Sequence, residues 1–211
     1  FNGIYLYNYV TNQLSNVPYK FTNIFLNKII PLMSSADEVL IATNGAGVYR
    51  LNIKTQKLTP FTNYCNNIYD TDGSCNIIKD LYIDEQKKLW MAVYPFGISV
   101  SSNKENLFNR ITNNSFDSNS LVDDQVNYIY EDSDKDIWFL TNNGISCYSK
   151  KKNKWTNILY NMPSSKEENN HAFLSIVETF PRNFIISGYM AGVYVLNKND
   201  MKPIFRPIID Y

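Results

Sequence analysis

A chain of 211 residues is long enough for one sizeable hydrophobic core or two small ones. Its 20 basic and 20 acidic side chains cancel. That balance leaves no basic field to hold nucleic acid and no polybasic segment to hold a membrane surface. No apolar run approaches the ~18 residues that a membrane-spanning helix needs.

The composition is globular, with 44% hydrophobic residues, and its 16 Tyr and 12 Phe tilt it toward β-structure. The opening, FNGIYLY, lacks the charged leader of a signal peptide and reads as the middle of a repeat. It points to a piece of a longer protein. Three cysteines are too few for a disulfide framework. Cys65 and Cys75 share one polar loop and are either bridged, in an oxidising compartment, or two free thiols. Cys147 falls in a strand and reads as a small core residue.

In chain order, a glycine followed by an apolar β-former recurs at Gly3, Gly47, Gly97, Gly144 and Gly192. The spacings are 44, 50, 47 and 48 residues. A period of roughly 40–50 residues with four short strands in each marks a propeller. The first copy holds only its last two strands, within 1–17. Complete copies are expected at about 27–63, 77–112, 126–158 and 172–206. In each, an apolar first strand (28–33, 77–83, 126–131, 173–178) is followed by a polar turn and a second strand (39–43, 89–93, 137–141, 184–188). The glycine-led third strand comes next (47–52, 97–102, 144–149, 192–197), and a fourth ends at Phe61, Ile111, Ile158 or Phe205.

The clearest copy contains DIWFLTNNGISCYS, at 136–149. An aromatic and β-branched run there meets Thr141-Asn142-Asn143-Gly144 turn chemistry and returns as a second strand. The glycine recurs because the turn is tight and a residue without Cβ takes φ > 0 or permits close approach. Trp90 and Trp138 occupy equivalent second-strand positions and are expected to pack between blades. No segment holds 3.6-residue periodicity over three turns, and SSKEENN (164–170) reads as an exposed loop insert. The expected fold is all-β: a partial β-propeller of four full four-stranded blades plus a half blade.

The unit VNYIYEDSDKDIWFLTNNGISCYSKKKNKWTNI (126–158) resembles the two-component regulator propeller repeat, and SFDSNSLVDDQV (115–126) resembles its preceding connector. The copy at 77–112 keeps Leu89-Trp90 and Gly97, while those at 28–63 and 172–206 lack the tryptophan. Such repeats build the periplasmic sensor region of hybrid two-component sensor kinases, known chiefly from Bacteroidetes. The resemblance implies seven-bladed propellers, often in tandem, followed by a transmembrane helix, histidine kinase and response regulator, and frequently a carbohydrate signal. It implies a periplasmic location and a non-enzymatic region whose kinase lies elsewhere in the parent protein. Four and a half blades leave blade faces uncovered. The expected partners are therefore the remaining blades of the parent, another copy, or a closure into an undersized ring.

No catalytic constellation stands out, and no cofactor or metal is expected. His171 is the single histidine and lacks ligand partners at zinc spacing. Asp70 and Asp72 in YDTDGS offer either a thin calcium site or an Asp-Gly turn. Ser133-Asp134-Lys135-Asp136-Ile137-Trp138 is similar to the Asp-box turn of sialidase propellers, but it lacks the glycine and reads as a hairpin turn with solvated acids.

Binding is the better prospect. In a propeller the loops joining strands two to three and four to one share a face. Here the first set carries Asn44, Tyr94, Pro95, Phe96, Asn142, Asn143, Tyr189 and Met190. The second adds Tyr64, Tyr69, Asp117, Asp123, Asp124, Tyr160 and His171. Aromatic faces stack on sugar rings while Asn and Asp fix hydroxyls. The candidate ligand-binding residues are Asn44, Tyr94, Phe96, Asn142, Asn143 and Tyr189, and the candidate ligand is an oligosaccharide. The plain alternative is that Tyr94, Phe96 and Tyr189 fill the gaps between blades. A sensor propeller, a protein-interaction scaffold and a carbohydrate-active enzyme are the three functional readings, and the last lacks an acid pair.

Overall fold

The computed structural model of the chain describes residues 3–18, 24–61, 77–101, 108–158, 172–189 and 192–206. Among them there are only strands, arranged as one two-stranded and four four-stranded antiparallel sheets. The first sheet pairs β1 (Ile4–Asn8) with β2 (Gln13–Val17). The second holds β3 (Phe25–Pro31), β4 (Glu38–Asn44), β5 (Val48–Asn52) and β6 (Lys57–Pro60). The third holds β7 (Ile78–Ile83), β8 (Leu89–Val93), β9 (Ile98–Ser101) and β10 (Phe108–Ile111). The fourth holds β11 (Val126–Glu131), β12 (Ile137–Thr141), β13 (Gly144–Ser149) and β14 (Lys154–Ile158). The fifth holds β15 (Ala172–Phe180), β16 (Asn183–Tyr189), β17 (Gly192–Asn197) and β18 (Lys202–Arg206).

Each four-stranded sheet is a simple meander, first strand to fourth in sequence order. The chain is a partial β-propeller. Sheets stack on one another because side chains alternate across each strand and both faces are apolar. In β4, Leu40 and Ala42 join a core with the third sheet, while Ile41 faces the first. In β8, Trp90 and Ala92 pack on Val126, Ile129 and Phe139 of the fourth sheet. In β12, Trp138 and Leu140 pack on Phe173, Phe184 and Ile186 of the fifth. The two tryptophans therefore pack between blades as expected: Trp138 lies 4.7 Å from Phe184 and Trp90 5.8 Å from Phe139, ring centre to ring centre. No core cluster of the described residues joins the fifth sheet to the first.

The recurring glycine does both things asked of it. Gly47, Gly97, Gly144 and Gly192 all take positive φ. At Gly97 (φ 82°) a Cβ would also lie 2.3 Å from the Ile111 carbonyl oxygen.

One feature was not legible in the apolar runs. Every full sheet has a register shift near the start of its first strand: between Leu26 and Lys28, Ile78 and Asp80, Val126 and Tyr128, and Phe173 and Ser175. A bulge of this kind re-aims the extra residue. Asn27 and Asn127 use it to donate from Nδ2 to the next sheet, at Ile78 O (2.7 Å) and Phe173 O (3.3 Å). The bulge in β7 also turns Asp80 into the core. Its carboxylate accepts the Ile129 backbone N–H from the fourth sheet and pairs at 2.9 Å with Lys28 from the second. Burial pushes this carboxyl above its usual range against the pull of Ile129 and Lys28.

Candidate functional site

The turns between second and third strands all leave a sheet at the same end as the connectors between sheets. Two of these turns meet at the 112–125 connector. This connector is ordered by its own polar residues and by the fourth sheet. Asn113 Nδ2 donates to the Leu121 and Val122 carbonyls, and the Asp124 side chain accepts the Asn113 backbone N–H at 2.6 Å. Leu121 is fully buried, Ser146 Oγ accepts the Val122 N–H, and Asn119 Oδ1 accepts the Trp155 N–H. Gly97 N–H donates to the Asp124 carbonyl, tying the connector to the third sheet.

The connector delivers Gln125 to the seam. Its Oε1 accepts both the Tyr94 hydroxyl, at 3.3 Å, and Asn142 Nδ2, at 2.5 Å. Asn142 Oδ1 accepts Asn127 Nδ2 at 2.8 Å, and Asn127 continues to the fifth sheet. One phenol and three amides thus form a chain of hydrogen bonds across three sheets. Lys79 Nζ sits 5.1 Å from the Tyr94 ring centre. Two side chains flank this network in the open: Asn143 is exposed, and Tyr189, at the β16 end paired with Ala172, is 62% exposed.

The six expected site residues therefore divide. Tyr94 and Asn142 are brought together through Gln125, and both are half-buried. Phe96 is half-buried, packs on the core of the second and third sheets, and lies 4.8 Å beneath the Arg110 guanidinium. Asn44 ends β4 in the second sheet, bridged to Ile77, away from the amide network. Asn143 and Tyr189 alone present free faces of the kind a ligand needs. Asp117 and Asp123 cap turns of the connector, accepting backbone N–H groups of Asn119 and Gln125. Gln125 and Asn127 escaped the sequence reading, as did Phe116, which is 98% exposed on the connector. Tyr64, Cys65, Tyr69, Asp70, Asp72, Cys75, Tyr160, the 164–170 insert, His171 and Met190 lie outside the described residues.

At the opposite end of the sheets, the 133–138 turn read as solvated holds an exposed Asp134 and a half-buried Asp136, and directly before it stands a buried acid which that reading did not single out. Asp132 is buried, and its Oδ2 accepts the Trp138 indole N–H at 2.8 Å. Its Oδ1 accepts the backbone N–H groups of Asp134 and Asp136. Lys198, from the fifth sheet, reaches in to contact Asp132, Asp134 and Asp136. Asp134 also pairs with Arg182 at 3.0 Å. The third sheet repeats the device: Asp84 is fully buried, accepts the Trp90 indole N–H at 3.0 Å, and is approached by Lys150 of the fourth sheet at 3.7 Å. A buried carboxylate needs these partners to remain charged. Among the described residues no group of three or more His, Cys, Asp or Glu is placed to hold a metal ion.

Residues 120–143, which span the end of the connector through β11, β12 and the following turn, match the family model of the two component regulator propeller. That stretch of the chain is thus similar to one two-component regulator propeller repeat. Solved structures with the same fold include the extracellular domain of the hybrid two component system BT4673 from B. thetaiotaomicron, at 16% identity and a TM-score of 0.72 over 97% of this chain and 27% of that one. The corresponding domain of BT3049 from the same organism aligns at 18% identity and a TM-score of 0.69, over 98% of this chain and 26% of that one. An ancestral GH74 enzyme aligns at 12% identity and a TM-score of 0.64, over 88% of this chain and 24% of its own. At these identities the likeness concerns the fold, and the chain spans about a quarter of each relative's length. No curated protein matches the chain.

Proposed function

We propose that this chain is part of the extracytoplasmic ligand-sensing propeller of a hybrid two-component receptor and that its Tyr94–Tyr189 end binds an oligosaccharide. The observation that carries the reading is the pairing of a rigid amide network with open groups beside it. Gln125, Asn127 and Asn142 hold one another, and Asn143 and Tyr189 stand free at its edge. Preorganised amides and an exposed phenol suit the alternating hydroxyl and C–H faces of a sugar. The propeller repeat at 120–143 and the extracellular two-component domains that share the fold support the receptor setting. Signal transfer then requires a ligand with different affinity for two arrangements of the receptor.

A non-catalytic protein scaffold is the second reading. It is favoured by one fact: the network's amides already satisfy each other, as purely structural groups would. The acids of the 132–136 hairpin are committed to Lys198 and Arg182, which gives a hydrolase reading no support. A thermal-shift screen of the chain against a panel of oligosaccharides separates the readings. A saturable rise in melting temperature with one glycan class supports the sensor, and a flat response across the panel supports the scaffold.

A further inference from the structure

The bulge near the start of each first strand sets one residue of every full sheet at an equivalent place: Asn27, Lys79, Asn127 and Leu174. Tyr94 and Asn142 are equivalent too. Each follows the second-strand residue, Val93 or Thr141, that pairs with the residue before the bulge. In the fourth sheet the bulge residue meets its turn residue, as Asn127 Nδ2 donates to Asn142 Oδ1. In the third sheet Lys79 does the same with Tyr94, its ammonium 5.1 Å from the ring centre. Lys79 is thus the counterpart of Asn127, and it is the charged member of the bulge set.

That charge is uncompensated. Lys79 is half-buried, and among the described residues no carboxylate lies within ion-pair distance of it. Lys28, Lys150 and Lys198, which also stand at seams between sheets, each meet an acid: Asp80, Glu131 and Asp132. The acids around Lys79 are turned elsewhere. Asp80, the next residue, points into the core, where Lys28 meets it. On the adjoining connector, Asp123 accepts the Gln125 backbone N–H, and Asp124 accepts that of Asn113, with Arg110 as its nearby cation. Lys79 therefore brings a positive charge to the phenol that Gln125 holds, beside amides that carry none. An ammonium partly withdrawn from water and lacking a counter-charge favours an anion arriving from outside.

Resting on the sugar-binding reading above, we propose that the sugar is acidic and that Lys79 pairs with a carboxylate or sulfate ester on it. The neutral amides and phenols around Lys79 then meet the hydroxyls and C–H faces of the same ligand.

The test extends the thermal-shift panel to pairs of sugars that differ in charge alone. Trigalacturonate is set against its methyl ester, and a sulfated galactose trisaccharide against the unsulfated one. An acidic member is expected to raise the melting temperature and its neutral counterpart to leave it unmoved, and which acidic member binds tells carboxylate from sulfate. Calorimetric titration of that sugar should show binding to Lys79→Met weakened by about tenfold or more, and binding to Lys79→Arg retained. Both variants are expected to melt like wild type without ligand. Wild-type affinity should also fall as sodium chloride is raised, a readout that needs no variant. A neutral sugar bound as tightly as its acidic counterpart overturns the proposal and leaves the sugar-binding reading standing. So does an affinity that ignores salt, or a Lys79→Met variant that binds the acidic sugar like wild type. A flat response to neutral and acidic members alike overturns both.

Discussion

Lys198 Nζ lies 2.5 Å from Asp132 Oδ2, the same oxygen that accepts the Trp138 indole N–H. The two residues are 66 positions apart and belong to adjacent sheets. Lys150 stands at the same interval from Asp84, which holds Trp90 in the same way. A tryptophan that packs on the following blade is thus oriented by an aspartate, which that blade's lysine neutralises. The arrangement joins apolar packing and charge compensation in one device.

Breaking the device from its centre should cost more than breaking it from the rim. Asp132→Ala orphans the Trp138 N–H and two backbone N–H groups and leaves Lys198 with only Asp134 and Asp136. Its expected cost is about 3 kcal/mol, measured by urea denaturation. Lys135→Ala removes only a long 3.4 Å pair between an exposed ammonium and Glu131, which keeps Lys150 at 2.8 Å, and should change stability by less than about 0.5 kcal/mol. A double-mutant cycle on Asp132 and Lys198 should return a coupling above ~1 kcal/mol, and a value near zero would show the contact to be incidental.

Gly97→Ala should destabilise by more than ~1 kcal/mol. The substitution meets both a left-handed φ of 82° and a carbonyl oxygen 2.3 Å from the new Cβ. Gly45→Ala is the control, since its φ is also positive but nothing lies within 4 Å. The difference in unfolding midpoint between the two reports the close approach alone.

Glu178 gives a pH signature. Burial raises its carboxyl, but hydrogen bonds from Ser133 and the Arg182 backbone outweigh burial and hold it below its ordinary 4.5. A depressed carboxylate contributes stability that is present above its unfolded value and lost as pH falls through the folded one. The stability difference between wild type and Glu178→Gln should therefore be constant near neutrality and shrink below about pH 4.5. Comparing the two proteins isolates Glu178 from Asp80, whose raised carboxyl works in the opposite direction.

At the end proposed to bind ligand the six expected residues should not behave alike. Tyr94→Ala removes a hydrogen bond to Gln125 and the ring beneath Lys79, and should lower the melting temperature. Asn143→Ala and Tyr189→Ala should leave it nearly unchanged, because both side chains are exposed.

The strands were legible because their apolar and β-branched runs sit at a fixed distance from a glycine that the turn geometry demands. What stayed hidden depended on residues distant in sequence. Lys198 offers no local sign that its partner is Asp132, and the 132–136 turn looks like any polar hairpin. The bulge before Tyr128 leaves no mark in an apolar run, yet it is what turns Asn127 toward Asn142 and the fifth sheet. Gln125 became visible as a site residue only once the connector was seen to fold against Ser146 and Trp155. Phe25–Pro31 forms further upstream than its apolar run suggested, because pairing with β4 runs as far as Asn44.

The most direct measurement is hydrogen–deuterium exchange of the chain with and without an oligosaccharide that raises its melting temperature. Protection is predicted at the 94–97 and 142–144 turns and at Tyr189, and it should be lost in an Asn143→Ala/Tyr189→Ala variant that melts like wild type. Protection confined to the hairpins at 84–88 and 132–136, or binding untouched by the double substitution, would contradict the account.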